Sequence, residues 1–309
     1  MKKLKIYSFP DKNPEYLQLQ IDSYRKNMED PYTELIIVNA STEHRDEVNK
    51  ICSDNNINCI EYTGENNGFL TYYVDQLSWF RDNIQSKISD YILLIHSDMF
   101  FIDRMDYRKL MEDKRIVINP QYRKTHSLYY MWDGVLLFDS EYFNSNDLTR
   151  LFIWDSVKGV SDMGGKTCDL LKTISPDIVG FFEFWTVYNI NDNVMESTLN
   201  GNIWYTFDMT ERKIREQIPL DVKSFDYEDE KDDYNEYYIN KIMEVKENFS
   251  DRYNFPSPVY FDVIQIKDGD LKKSPILHLK SGSGYQSWYN TDYVNRKISE
   301  LRKVVEDRV

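Results

Sequence analysis

The sequence predicts an α/β fold: a Rossmann-like mixed, mainly parallel sheet flanked by helices, with a less regular second half. Three observations lead there. Strand-like and helix-like segments alternate from Leu4 to Asp103. The strongest strands, Glu34 to Ala40 and Tyr91 to Ile95, are continuous apolar runs, as strands covered on both faces must be. Beyond Asp103 the alternation loses its regularity, which predicts mixed topology there.

Taken in order, "LKIYSF" at Leu4 to Phe9 is a β-rich run. A Pro-led helix follows, with Leu17, Ile21, Tyr24 and Met28 at helical spacing. "ELIIVNA" is the second strand, and "STEHRDEVNKIC" predicts a helix capped by Ser41 or Thr42. "NCIEYT" is the third strand, followed by the Asn66-Asn67-Gly68 turn. A helix then places Tyr73, Leu77, Phe80 and Ile84 on one face. "YILLI" is the fourth strand and runs into His96-Ser97-Asp98. Later, "RIVINPQ", "DGVLLFDSEYF", "FEFWTVYNI", "NIWYTF", "PVYFDVIQI" and "SPILHLKSGSG" read as strands, and "GGKTCDLLKTI" as a short helix. Asp221 to Glu236 is an acidic run expected to be a solvated loop, and the segment from Asp292 to the end an amphipathic helix.

The 309 residues are 41% hydrophobic and 15% aromatic, enough for a sizeable core. With 38 Lys+Arg against 52 Asp+Glu the net charge is -14, which argues against nucleic acid and anionic lipid as partners and asks for a local, metal-assisted site for any anionic ligand. Three cysteines without metal-type spacing suggest free thiols and a reducing compartment. No signal-peptide pattern and no membrane-length apolar stretch is found, so a cytoplasmic, soluble protein is expected.

In sheets of this kind ligands bind beyond the carboxyl ends of the strands, where strand order reverses. Asn39, the Asn67-Gly68 turn and His96-Ser97-Asp98 all fall at such ends. His96 and Asp98 stand at i and i+2, so in an extended segment both side chains point one way and suit one divalent cation. Manganese or magnesium held by few protein ligands matches a diphosphate substrate, and the imidazole favours manganese.

"YILLIHSDMFFI", after three strand-helix units, resembles the strand and metal-binding turn of GT-A fold glycosyltransferases of the family-two-like group. There an apolar strand ends in Asp-x-Asp, and here His96 stands in place of the first Asp. The resemblance implies a metal-dependent transfer of sugar from a nucleotide-diphosphate sugar, a UDP-sugar by frequency, to a glycan or other hydroxyl acceptor. It implies Asp98 and His96 as metal ligands, with His278 of "PILHLKSGSG" closing the shell. Lys280 becomes a diphosphate contact, Gly282 a backbone donor to phosphate, and Ser97 and Asn39 lie near the nucleotide. "WDGVLLFDSEYF" and "SDMGGKTCDLL" resemble acceptor-side segments with an Asp-x-Gly turn. Asp162 is therefore the first candidate for the base that removes the acceptor proton in an inverting reaction, and Asp133 the second. Residues 1–103 form the nucleotide-sugar half, 104–290 the acceptor half, and 291–309 a C-terminal helix. A nucleotidyltransferase, a non-catalytic GT-A-like binding protein and a glycoside hydrolase are the rival readings.

Overall fold

The computed structural model of the chain describes residues 2–10, 14–64, 72–123, 128–157, 164–187, 261–266, 276–278, 299 and 302. Asn67, Gly68, Asp162, Lys280, Gly282, the "NIWYTF" segment and the acidic run lie outside the described residues, as does nearly all of the C-terminal helix.

The first half follows the expected order. Strand β1 (Leu4–Ser8) leads to helix α1 (Pro14–Asn27), β2 (Thr33–Asn39) to α2 (Arg45–Asp54), and β3 (Asn58–Glu61) to α3 (Tyr72–Asn83). Strand β4 (Tyr91–Ile95) then passes through a tight turn into the short β5 (Met99–Phe101). The helical spacing of Leu17, Ile21, Tyr24 and Met28 buries all four beside Leu4, Ile6 and Leu35. Leu77 and Phe80 of α3 pack on the other sheet face with Tyr7, Ile92 and Leu94. Alternation along β1 and β4 therefore feeds two cores, one on each face, as expected of a sheet covered on both sides.

Helix α2 begins later than the sequence predicts. Its N-cap position is His44, which makes no side-chain cap, whereas the Ser41 hydroxyl accepts from the His44 amide at 3.0 Å. Ser41 shapes the turn before the helix instead of capping it.

The second half contributes α4 (Tyr107–Leu110), β6 (Ile116–Arg123), β7 (Leu128–Asp139), α5 (Ser140–Ser145), α6 (Cys168–Thr173), β8 (Val179–Val187), β9 (Phe261–Ile266) and β10 (Ile276–His278). The sheet order is β3-β2-β1-β4-β7-β6-β8-β9-β10-β5. Across the first seven strands of that order the pairing is mostly parallel, with β7 running against both β4 and β6. Antiparallel pairing then carries the sheet through β9 and β10 to β5. The irregular rhythm after Asp103 thus corresponds to antiparallel strands. Pro120 follows a break in register between Ile118 and Pro120 of β6, a position that tolerates a missing amide donor.

Strand order reverses between β1 and β4, since β2 and β3 lie to one side of β1 and β4 to the other. The carboxyl ends there are Ser8, paired with Ile95, and the His96 turn beyond it. That is the place where a parallel sheet of this kind opens a ligand crevice.

Among the described residues no helix is long and apolar enough to cross a membrane. Cys52, Cys59 and Cys168 are all free thiols.

Candidate metal centre

The turn after β4 is the first component. His96 and Asp98 do not lie in an extended segment: the Met99 amide donates to the His96 carbonyl at 3.1 Å, closing a four-residue turn. The turn still brings the two side chains to one place, with His96 Nδ1 4.0 Å from Asp98 Oδ1. Asp98 is 1% exposed, and the apolar Met99, Phe100, Phe101 and Ile102 after it are all buried, anchoring it from the chain's downstream side.

Helix α1 anchors the turn from the other side. The Gln20 amide donates to the His96 carbonyl at 3.0 Å and to the Met99 carbonyl at 2.8 Å. The Ser23 hydroxyl accepts from the Phe101 amide at 3.1 Å, and the Asn27 amide donates to the Phe101 carbonyl at 2.7 Å. Gln20, Ser23 and Asn27 form a polar stripe at i, i+3 and i+7 that satisfies the outer side of β5, an edge strand. Sequence reading passed over this stripe, although its helical spacing on an otherwise apolar face was visible.

The inner side of β5 pairs with β10, and the register sets His278 opposite Met99. His278 is thereby delivered beside the turn, its Nε2 3.5 Å from Asp98 Oδ1. One potential ligand atom from each of His96, Asp98 and His278 falls within 4.8 Å of the other two. Around an octahedral ion with bonds of about 2.1 Å, neighbouring ligands stand roughly 3 Å apart and opposite ones about 4.2 Å apart. The separations of the two imidazoles from Asp98 Oδ1, 4.0 Å for His96 Nδ1 and 3.5 Å for His278 Nε2, fall within this range. Two imidazoles with one carboxylate suit manganese better than magnesium.

Strand β7 closes the site. The strand expected to start at Asp133 in fact begins earlier, at Leu128, so Asp133 lies inside the twelve-residue β7. The apolar and aromatic residues on both sides of it hold the strand through Gly134, whose carbonyl accepts from the His96 amide at 3.0 Å. Asp133 is 3% exposed, and its Oδ2, 3.7 Å from His96 Nε2, accepts no hydrogen bond. Aromatic rings enclose His96: Tyr73 at 5.1 Å, Trp132 at 5.3 Å and His278 at 6.3 Å between centroids. Trp132 also meets His278 at 5.4 Å. Burial first, and the charges of Asp133 and Asp98 after it, hold the Tyr73 phenol well above its ordinary range, so it stays a neutral hydroxyl.

The other predicted positions divide. Ser97 is half-buried at the tip of the turn. Asn39 ends β2 on the same sheet edge, but its amide donates to the Arg45 carbonyl and to Asn49 Oδ1, and its oxygen accepts from the Ser41 amide. Its side chain therefore builds the β2–α2 loop. Ser8, not singled out from sequence, is fully buried at the strand-order reversal with a hydroxyl that makes no hydrogen bond. A cleft of about 700 Å³, lined among others by Met28, Thr33, Arg108, Val117 and Phe181, lies toward the opposite, amino-terminal edge and includes none of the predicted residues.

Searched against protein-family models and curated proteins, the sequence matches none. Among solved structures it is similar to the galactosyltransferase LgtC in complex with donor and acceptor sugar analogs, at 15% identity and a TM-score of 0.39, over 57% of this chain and 72% of that one. It is also similar to the glycosyltransferase GlyE of Streptococcus pneumoniae TIGR4, at 12% identity and a TM-score of 0.39, over 59% of this chain and 45% of that one. A third is the mannosyltransferase PcManGT of Pyrobaculum calidifontis in complex with GDP-Man and Mn2+, at 11% identity and a TM-score of 0.37, over 58% of this chain and 56% of that one. The chain spans less than two thirds of the length of the last two. These are partial likenesses, and the chemistry of the site rests on this chain's own side chains.

Proposed function

We propose that the protein is a divalent-metal-dependent GT-A glycosyltransferase that moves a sugar from a nucleotide-diphosphate sugar, with UDP as the first nucleotide to test, to an acceptor hydroxyl. The observation that carries this reading is the convergence of His96, Asp98 and His278, from two distant parts of the chain, at the carboxyl edge where strand order reverses. Asp98 and the two imidazoles would hold the ion, which when bound supplies Lewis-acid stabilisation of the charge developing on the departing diphosphate. The buried turn, gripped by Gln20 and β5, holds Asp98 in one orientation before any ligand arrives, so little ordering remains at binding. Trp132 and Tyr73 keep water from the inner face of His96. Asp162 is the proposed base for the acceptor proton, from the sequence resemblance; Lys280 and Gly282 are proposed on the same ground as diphosphate contacts, and Asn67 and Gly68 as donor contacts from their place in a turn after a strand.

Calorimetry and thermal denaturation with UDP, GDP and their sugars, with and without Mn2+, test the reading on wild type, Asp98→Ala and Asp98→Asn. One nucleotide diphosphate is expected to stabilise the wild type only with metal, by about 2.7 kcal/mol at a hundredfold excess over Kd, and neither variant. Equal metal-dependent binding by wild type and both variants would remove Asp98 from the metal site. Metal-dependent nucleotide binding without sugar transfer to any acceptor or water would favour a binding protein instead.

A further inference from the structure

We infer that Asp133 is the positioning residue of His96: it fixes the proton on Nε2 and so presents Nδ1 to the metal. This rests on the metal site proposed above. The two ring nitrogens face two different carboxylates, Nδ1 toward Asp98 Oδ1 at 4.0 Å and Nε2 toward Asp133 Oδ2 at 3.7 Å. Tyr73, Trp132 and His278 pack against the ring at steep angles of 83°, 67° and 62°, contacts that favour one orientation of the imidazole. Asp133 Oδ2 is buried and accepts no hydrogen bond, a costly state for a carboxylate unless a donor is directed at it. The ring nitrogen set against it is Nε2. A carboxylate on one imidazole nitrogen directs the lone pair of the other outward and raises its basicity as a ligand.

The assignment moves Asp133 away from the part of acceptor base, because its inward oxygen serves the histidine. Asp133 acts through His96 and not on substrate, and this separates it from a direct ligand or a base.

A double-mutant cycle on Mn2+ binding, read by electron paramagnetic resonance of free Mn2+, tests the inference. Asp133→Leu, which accepts no hydrogen bond, is expected to weaken Mn2+ binding about 10- to 100-fold, and Asp133→Asn to recover part of the loss. In a His96→Asp background, where no imidazole needs orienting, Asp133→Leu is expected to change the affinity less than about 2-fold, by the additivity of uncoupled sites. An equal loss in both backgrounds would make Asp133 a direct ligand or a general structural element and overturn the inference while leaving the metal site intact. No Mn2+ binding by wild type would overturn the metal site and the inference with it. The nitrogen-15 spectrum of His96 in the metal-free wild type at about pH 8, where a free imidazole is neutral, supplies a second readout. The Nε2–H tautomer is expected, and the Nδ1–H tautomer would overturn the inference even if the variants fold poorly.

Discussion

Replacing Gln20 by Met tests whether helix α1 holds the turn of the proposed metal site. The side chain keeps its length and roughly its volume but loses both donors, to the His96 and Met99 carbonyls. Two buried hydrogen bonds contribute about 2 kcal/mol net. The Gln20 amide oxygen, however, is itself buried and accepts no hydrogen bond, so its removal returns roughly 1 kcal/mol at most. A net loss of about 1–2 kcal/mol remains, which in a chain of this size lowers Tm by about 2–4 °C. Because the lost bonds are those of the turn that carries Asp98, the larger effect is expected on Mn2+ affinity, about tenfold or more, as for other residues that support ligands. Thermal denaturation and a Mn2+ titration of Gln20→Met measure both. A Tm within about 1 °C of wild type together with unchanged Mn2+ affinity would refute the idea that α1 sets the turn.

The same packing carries two further expectations. A methyl group at Gly134 would sit 2.2 Å from the Trp132 indole, so Gly134→Ala is expected to push that ring off His96 and His278, cost about 1–3 kcal/mol and weaken Mn2+ binding; unchanged stability by denaturant titration would show that Trp132 has room to move. Burial first, then nearby carboxylates, push the phenols of Tyr7 and Tyr16 above their ordinary 10.0, so the unfolded chain gives up these protons first. Their contribution is complete below about pH 10 and is lost as pH rises beyond it; Tm should therefore fall as pH is raised above about 10, with a shallower fall in Tyr7→Phe, and a flat profile would contradict this.

Much of this arrangement was legible in the sequence because periodicity and apolar runs report burial directly. Leu17, Ile21, Tyr24 and Met28 form a buried face, and "YILLI" is a strand buried from Ile92 to Ile95 that delivers a polar turn to the sheet's carboxyl edge. His278 and Asp98, far apart in the chain, lie side by side at the turn. What sequence could not show was local geometry under tertiary control. The i,i+2 spacing of His96 and Asp98 suggested a shared strand face, whereas hydrogen bonds from Gln20 and the Met99 amide fold the segment into a turn with the same convergence. "DGVLLFDSEYF" was legible as a strand but its start was not: β7 already begins at Leu128, which carries Asp133 into the core. Asn39 looked available at a strand end, yet a loop with unsatisfied backbone groups claimed its amide. The Gln20, Ser23 and Asn27 stripe was missed because polar residues on a helix are ordinarily read as facing water.

The β5–β10 pairing has a consequence for the order in which the molecule becomes competent. Among the described residues the strand partner of Met99 to Phe101 is Ile276 to His278, so although helix α1 grips β5 locally, the second imidazole arrives only with a very long-range closure. Loop closure of that span is slow relative to the local β-α pairing of the first hundred residues. A nascent chain can therefore hold a native-like β1–β4 sheet while His278 is still absent from the turn; on the function proposed above, cation binding would then report that β5 and β10 have paired.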